Sequence, residues 1–172
     1  MIEVLRKRRS IRIFTDQKIE AEKMTLLREA LLRSPTSRNN RSWEFIIIDD
    51  LDIIQRLSKV RGGLRPLETA TCAVVVCGDE TKSDVWVEDC SIASIVLQLT
   101  AVSLGLGSCW GQIRLRNHDK TQSAERFVQE DLNIPAHLRV EAIIALGYPA
   151  EDKASIPLSE LLSEKIHHNR YA

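Results

Sequence analysis

The chain has 172 residues, 44% apolar and 28% charged, which suits one soluble domain with a sizeable core. That composition excludes a disordered chain, a collagen-like fibre and a disulfide-stapled mini-protein. Lys+Arg and Asp+Glu both total 24, so no polyanionic partner is implied, and aromatics at 5% argue against a nucleic-acid surface of stacked rings.

Charge is nevertheless uneven along the chain. Residues 1–41 carry 11 basic and 5 acidic side chains, and residues 42–172 carry 13 and 19. A localised anion site, such as one for a phosphate, accounts for that bias; so does a solvated basic helix face. Glu3, Arg6 and Lys7 leave no apolar signal-peptide region. The most hydrophobic stretch, 91–107, falls short of the roughly 20 residues that a membrane span needs. Cys72, Cys77, Cys90 and Cys109 form no CxxC pair and read as buried, reduced thiols, so a cytoplasmic location is expected.

No linker or repeat interrupts the chain, and residues 1–172 are expected to form one domain. Ile2 to Arg8 reads as a short helix with Ile2, Val4 and Leu5 facing inward. Arg8 to Phe14 alternates polar and apolar residues and reads as extended. Glu20 to Arg33 is an amphipathic helix built on Met24, Leu27 and Leu31. Ser34–Pro35 ends it, because the residue before proline avoids the helical region. A polar loop over 35–42 leads into a strand at Glu44 to Asp49, then a helix at Leu51 to Val60 stopped by Gly62–Gly63. Thr71 to Cys77 is a continuous apolar run typical of a strand buried on both faces.

Val87 to Leu104 is the longest helical pattern. It is apolar nearly all round, so the core or a second subunit must cover every side. Gly105 to Gly107 breaks it before a strand at Ser108 to Ile113. A helix at Ala124 to Asp131, a buried strand at Val140 to Leu146 and a short helix at Leu158 to Leu162 complete the series. Interleaved helices and strands place the chain in the α/β or α+β class, with a covered central sheet.

Several segments carry candidate chemistry. If Arg8 to Arg12 is extended, Arg8, Ser10 and Arg12 share a face. Two guanidiniums flanking a hydroxyl suit a phosphate or a carbonyl-rich heterocycle, and equally describe a solvated strand edge. The loop Pro35–Thr36–Ser37–Arg38–Asn39–Asn40–Arg41–Ser42–Trp43 reads as polar ligand contacts or as a plain connection. The glycines of Gly105–Leu106–Gly107–Ser108–Cys109–Trp110–Gly111 follow a helix rather than a strand, at the wrong spacing for a dinucleotide loop. His118, His137, His167 and His168 complete no metal-ligand spacing. No nucleophile, general acid or general base stands out. Anion-binding and planar-ligand features without a protein nucleophile fit an enzyme whose cofactor carries the chemistry.

In this order, RRSIRIF, SPTSRNNRSWEF, LGLGSCWGQ, ALGYPAE and KIHHNRY resemble the short members of the FMN-dependent nitroreductase family. The resemblance covers nearly the whole chain. It implies a central, mostly antiparallel sheet covered by helices in an intertwined homodimer. It further implies FMN as cofactor, NAD(P)H as co-substrate, and ping-pong hydride transfer through flavin N5 to a nitroaromatic, quinone or similar small acceptor, with no nucleic-acid or membrane partner. By position, Arg8 binds the FMN phosphate, Arg9 and Ser10 line the phosphate and ribityl chain, and Arg12 reaches the pyrimidine edge, where positive charge favours the reduced anion. His168 and Arg170 match the C-terminal phosphate clamp. Trp110, Gly111 and Gln112 match the segment along the flavin ring, where a backbone N–H faces N5. Pro35, Thr36, Ser37 and Asn39 match a loop that reaches the flavin of the other subunit.

The chain departs from the family pattern at Arg41–Ser42, where many members read Gln-Pro. Arg61 and Arg65 lie in a region that often borders the substrate channel. A flavin-binding protein without turnover keeps the same binding residues. A nucleic-acid binder built on the basic N-terminal segment is the remaining alternative, and it predicts strongly salt-dependent affinity and a colourless protein.

Overall fold

A computed structural model describes residues 1–171. In chain order its main elements are α1 (Ile2–Lys7), α2 (Ala21–Leu32), β1 (Trp43–Ile48), α3 (Leu51–Ser58), β2 (Cys72–Asp79), α4 (Trp86–Ser103), β3 (Gly107–Gln112), α5 (Ala124–Asp131) and β4 (Leu138–Gly147). The four strands form one sheet in the order β1-β2-β4-β3, and every neighbouring pair is antiparallel. The fold is therefore the expected helix-covered antiparallel sheet, with element ends moved by a residue or two.

β2 explains why the sheet sits at the centre. All eight of its residues are buried. Alternate side chains divide between two cores: Ala73, Val75 and Cys77 join Ile54, Leu57 and Leu64 on one face, while Cys72, Val74 and Val76 join Leu27, Leu31 and Leu97 on the other. The four cysteines are all buried and unpaired. Burial pushes the Cys72 and Cys77 thiols up to about 12.

Local signals set the helix ends. Asp50 caps α3 by accepting from the backbone N–H of Asp52 and Ile53, and Ser123 caps α5 by accepting from Arg126. Glu88 and Asp89 occupy the first turn of α4. At its other end, Gly105 adopts φ +75°, its N–H donates to Val102 and that of Leu106 to Ala101. This paired closure turns the chain straight into β3.

Four regions differ from the sequence reading. In α1, Ile2 and Leu5 are 59% and 47% exposed and only Val4 is half-buried, because Ile2 and Leu5 line an open groove shared with the C-terminal tail rather than the core. Residues 8–14 form no regular strand: Ser10 bridges Ser108, Phe14 bridges Pro149, and the buried residue at the end is Phe14 rather than Ile13. β4 carries an extra residue, Glu141, between the partners of Val76 and Cys77. The short helix read at 158–162 is instead two single 3-10 turns, Leu158–Glu160 and Ser163–Lys165, on an exposed tail. No described helix is long and apolar enough to cross a membrane.

Candidate functional site

The first group of predicted residues assembles at the head of β3. Ser10 pairs in parallel with Ser108, and the Ile11 N–H donates 3.0 Å to the Ser108 carbonyl. Gly107 makes this approach possible, since a Cβ there would sit 2.9 Å from Ile11 side-chain atoms. Arg8, Arg9 and Ser10 are half-buried and Arg12 is exposed. The segment after β4 ties them down. Lys153 Nζ donates 2.8 Å to the Ser10 carbonyl, the Arg12 N–H donates to Glu151 Oε1, and Arg9 Nη1 donates to the Ala154 carbonyl. Backbone and lysine contacts lower the Glu151 carboxyl below its ordinary range, the Arg12 N–H first among them. Sequence reasoning gave no role to Glu151, the last residue of the ALGYPAE motif, or to Lys153 just beyond it; only the return of the chain brings them to Arg12 and Ser10.

Trp110, Gly111 and Gln112 continue along the same strand. β3 is an edge strand. Its Ser108 carbonyl reaches Ile11 and its Gln112 carbonyl accepts 2.6 Å from Arg61 Nε, so both point away from β4. Backbone direction alternates along a strand, so the Trp110 N–H lies on that open edge between them. The Trp110 indole donates 2.9 Å to Gln112 Oε1, and Gln112 Nε2 donates 3.1 Å to the Arg114 carbonyl. Gly111 is buried under Leu64, which leaves no room for a side chain. Beneath this edge the Ser108 hydroxyl is buried without a hydrogen-bond partner. Cations at the head of the strand, outward backbone groups along it and a buried unbonded hydroxyl fit an anionic, planar, hydrogen-bonding cofactor.

The polar loop lies elsewhere. Asp89, 2% exposed in the first turn of α4, accepts from the Ser37 N–H (2.8 Å), Ser42 Oγ (2.7 Å) and Ser83 Oγ (3.2 Å). Ser42, the departure from the family pattern, is thus the residue that locks the loop. Arg38, Asn39 and Arg41 all have φ near +50°, a compact left-handed path held by the Arg41 N–H donating to Thr36 Oγ1. Pro35 and Asn39 are exposed, Thr36 and Ser37 half-buried. Asp89 begins α4, while α1, just before Arg8, packs on its C-terminal half near Val96, Leu99 and Ser103. An 18-residue helix is about 27 Å long, so the loop and the Arg8 cluster stand at opposite ends of one chain.

His168 and Arg170 sit on the exposed tail. Neither side chain bonds to Arg8; the Arg170 N–H donates 2.8 Å to the His168 carbonyl. Earlier parts of the tail, Ile156, Leu158 and Leu161, form with Arg8 and Arg9 a groove of about 250 Å³. One chain therefore brings together Arg8, Arg9, Ser10, Arg12 and the Trp110–Gln112 strip, and leaves the loop and the tail pair apart from them.

An edge-strand site with a basic head, on a helix-covered antiparallel sheet, defines a cofactor-binding α+β protein. The comparisons make the class specific. The model of the nitroreductase family matches residues 5–64. An FMN-dependent nitroreductase from Clostridium difficile R20291 is 43% identical and superposes with a TM-score of 0.97 over 99% of this chain and 100% of that one. A protein named as an NADH dehydrogenase/NAD(P)H nitroreductase in Archaeoglobus fulgidus is 30% identical over 169 residues, 95% of this chain and 94% of its own length. An FMN reductase (NADPH) of Bacillus subtilis is 28% identical over 189 residues, 97% of this chain and 72% of its own length. The chain belongs to the nitroreductase family.

Proposed function

We propose that the protein is a homodimeric flavin enzyme that carries two electrons from NAD(P)H to a small acceptor of the nitroaromatic or quinone kind. It is an NAD(P)H-dependent oxidoreductase with FMN as its cofactor, in line with its nitroreductase and FMN reductase relatives. The observation that carries the reading is the docking of Arg8–Ser10–Arg12 at the head of an open edge strand whose middle is Trp110.

Arg8 and Arg9 hold the phosphate, since a planar guanidinium fork matches phosphate oxygens. Ser10 lines the ribityl chain, and Arg12 places positive charge at the pyrimidine edge. The Trp110–Gln112 strip presents its backbone to the ring, stiffened by the indole-to-amide hydrogen bond. Bound FMN supplies the hydride-accepting and electron-donating centre that no side chain here provides, so NAD(P)H and acceptor use one site in turn.

The second chain supplies what one chain leaves apart. Pro35, Thr36, Ser37 and Asn39, about 27 Å of helix away from Arg8, reach the site of the other subunit. The outward face of α4 supports this pairing, with Ile92 and Ile95 each 39% exposed, as do Leu158, Leu162 and Ile166 on the tail. His168 and Arg170 close on the phosphate when the tail is packed in the dimer.

The test is a visible spectrum of protein supplemented with FMN and desalted, recorded before and after anaerobic NADH or NADPH, with the mass in solution measured alongside. A dimer that retains flavin and bleaches is expected. Retained flavin that does not bleach indicates a binding protein without turnover. A colourless folded protein overturns the cofactor assignment.

A further inference from the structure

Three arginines on the α3 and α5 side of the molecule have a carboxylate. Arg56 pairs with Asp131 (2.9 Å), Arg126 with Glu130 (2.8 Å), and Arg139 with both Glu125 (2.7 Å) and Glu80 (3.0 Å). Lys59, Arg61, Arg65 and Arg116 have none within ion-pair distance among the described residues. Lys59, Arg61 and Arg65 line a cleft of about 380 Å³ at the far end of β3.

Arg61 is the fixed member. Its Nε donates 2.6 Å to the Gln112 carbonyl, which sets the plane of the guanidinium. Nη1 lies against Gly63, where any Cβ would collide with it. Both Nη groups make no hydrogen bond among the described residues. Burial pushes the guanidinium below its ordinary range, and the positive charge of Arg116 pushes the same way. Glu68 is the one carboxylate in the cleft lining, and it forms no ion pair with Arg61 or Arg65. A half-buried, oriented guanidinium beside a like charge is unfavourable until an anion joins it.

We infer that this cleft is the subsite for the pyrophosphate of the nicotinamide dinucleotide, with Arg61 as its principal ligand and Arg65, on the same lining, as the second. The inference rests on the flavin reading above. Trp110 and Gln112 are two residues apart, about 7 Å along a strand. A nicotinamide ring reacting opposite Trp110 therefore has Arg61 about one ribose away, where its first phosphate lies. The free Nη pair of Arg61 offers the parallel donors that a phosphate accepts. Both NADH and NADPH carry this group, so the subsite serves either.

The experiment uses the FMN-loaded enzyme and the variants Arg61→Met, Arg61→Lys and Arg65→Gln, with flavin content and dimer mass checked first. Calorimetry measures Kd for NAD+ and for inorganic pyrophosphate; stopped-flow measures flavin reduction by NADH, NADPH and dihydronicotinamide riboside, which has no phosphate. Arg61→Met is expected to weaken NAD+ and pyrophosphate about tenfold and Arg65→Gln about threefold, as fits the loss of one charge-assisted contact each. Arg61→Lys retains part of the affinity. NADH and NADPH lose efficiency equally, and the riboside keeps its rate. Equal losses with the riboside overturn the proposal, because Arg61 would then act on the ring through Gln112. So does a loss confined to NADPH, a loss confined to an anionic acceptor such as nitrobenzoate, or unchanged NAD+ binding. Failure of the flavin reading is separate: the parent enzyme then shows no reduction by any of the three donors.

Discussion

The Arg8–Arg12 segment and the Pro35–Ser42 loop are both polar, both rich in arginine and both matched to the same site, yet the fold treats them differently. The first is built onto the sheet of its own chain, with Ser10 bridging Ser108 and Lys153 closing over it. The second is pinned at the opposite end of α4 by a buried carboxylate, with Pro35, Arg38 and Asn39 exposed. Two segments that one helix holds apart fit the proposed dimer, in which a second copy brings them together. In the proposed dimer that copy would pack on the outer face of α4, where Ile92 and Ile95 are each 39% exposed.

The largest break in this comparison comes from α4 itself. Ile95→Asp places a charge on that outward face and is expected to leave a folded monomer that no longer retains FMN; light scattering and the visible spectrum check both. A stable, yellow Ile95→Asp dimer would show that the halves meet by another face. Asp89→Ala removes an acceptor of three hydrogen bonds and should cost about 3 kcal/mol of stability in urea titration, because charged-group hydrogen bonds are worth about 1.5–3 kcal/mol each and do not add fully. Its loss of loop order should also raise the KM of the acceptor.

Arg8→Ala should weaken FMN about tenfold, roughly 1.4 kcal/mol, by equilibrium dialysis, whereas Arg28→Ala, on an exposed position of α2, leaves occupancy unchanged. Equal occupancy in both would sink the phosphate assignment. Ser42→Ala removes one bond to Asp89 and should cost about 1 kcal/mol, the smaller and cleaner version of the loop experiment.

The smallest effect is in pH. Glu141, the extra residue of β4, is 4% exposed, with Oε2 unbonded, and burial raises its carboxyl above the ordinary 4.5. Arg114 and Gln112 oppose that shift, while Glu125 and Glu88 add to it. A raised folded value means that its contribution to stability is complete below pH 4.5 and is lost as pH rises through the folded value. Glu141→Gln should flatten that part of the stability profile. An unchanged profile would assign the slope to another group.

Much of this was legible in the chain. The runs at 72–77 and 87–104 announced a doubly buried strand and a helix needing cover on all sides, because side-chain period and apolar content are local properties. The break at Gly105 is likewise local, acting within one turn of where it stands; the caps Asp50 and Ser123 are local too but were seen only in the structure. The Arg8–Ser10–Arg12 and Trp110–Gln112 segments were recognisable as site material from residue type and order.

What the chain order did not disclose were contacts made across long separations. Glu151 and Lys153 meet Arg12 and Ser10 only because β4 runs back alongside β3. Asp89 looked like a helix-start acid and proved to be the anchor of a loop 47 residues away, a role set by burial rather than by motif. The β4 bulge that buries Glu141 depends on a register between two strands. Short-range sterics and hydrophobic period thus made the long elements, most of their buried faces and the residue types of the site readable from the chain, but not the exposed face of α1 or the irregular tail. Only the tertiary structure decided which of those residues meet in one chain, since hydrogen bonds and charge pairs form between groups that packing, not sequence proximity, brings within reach.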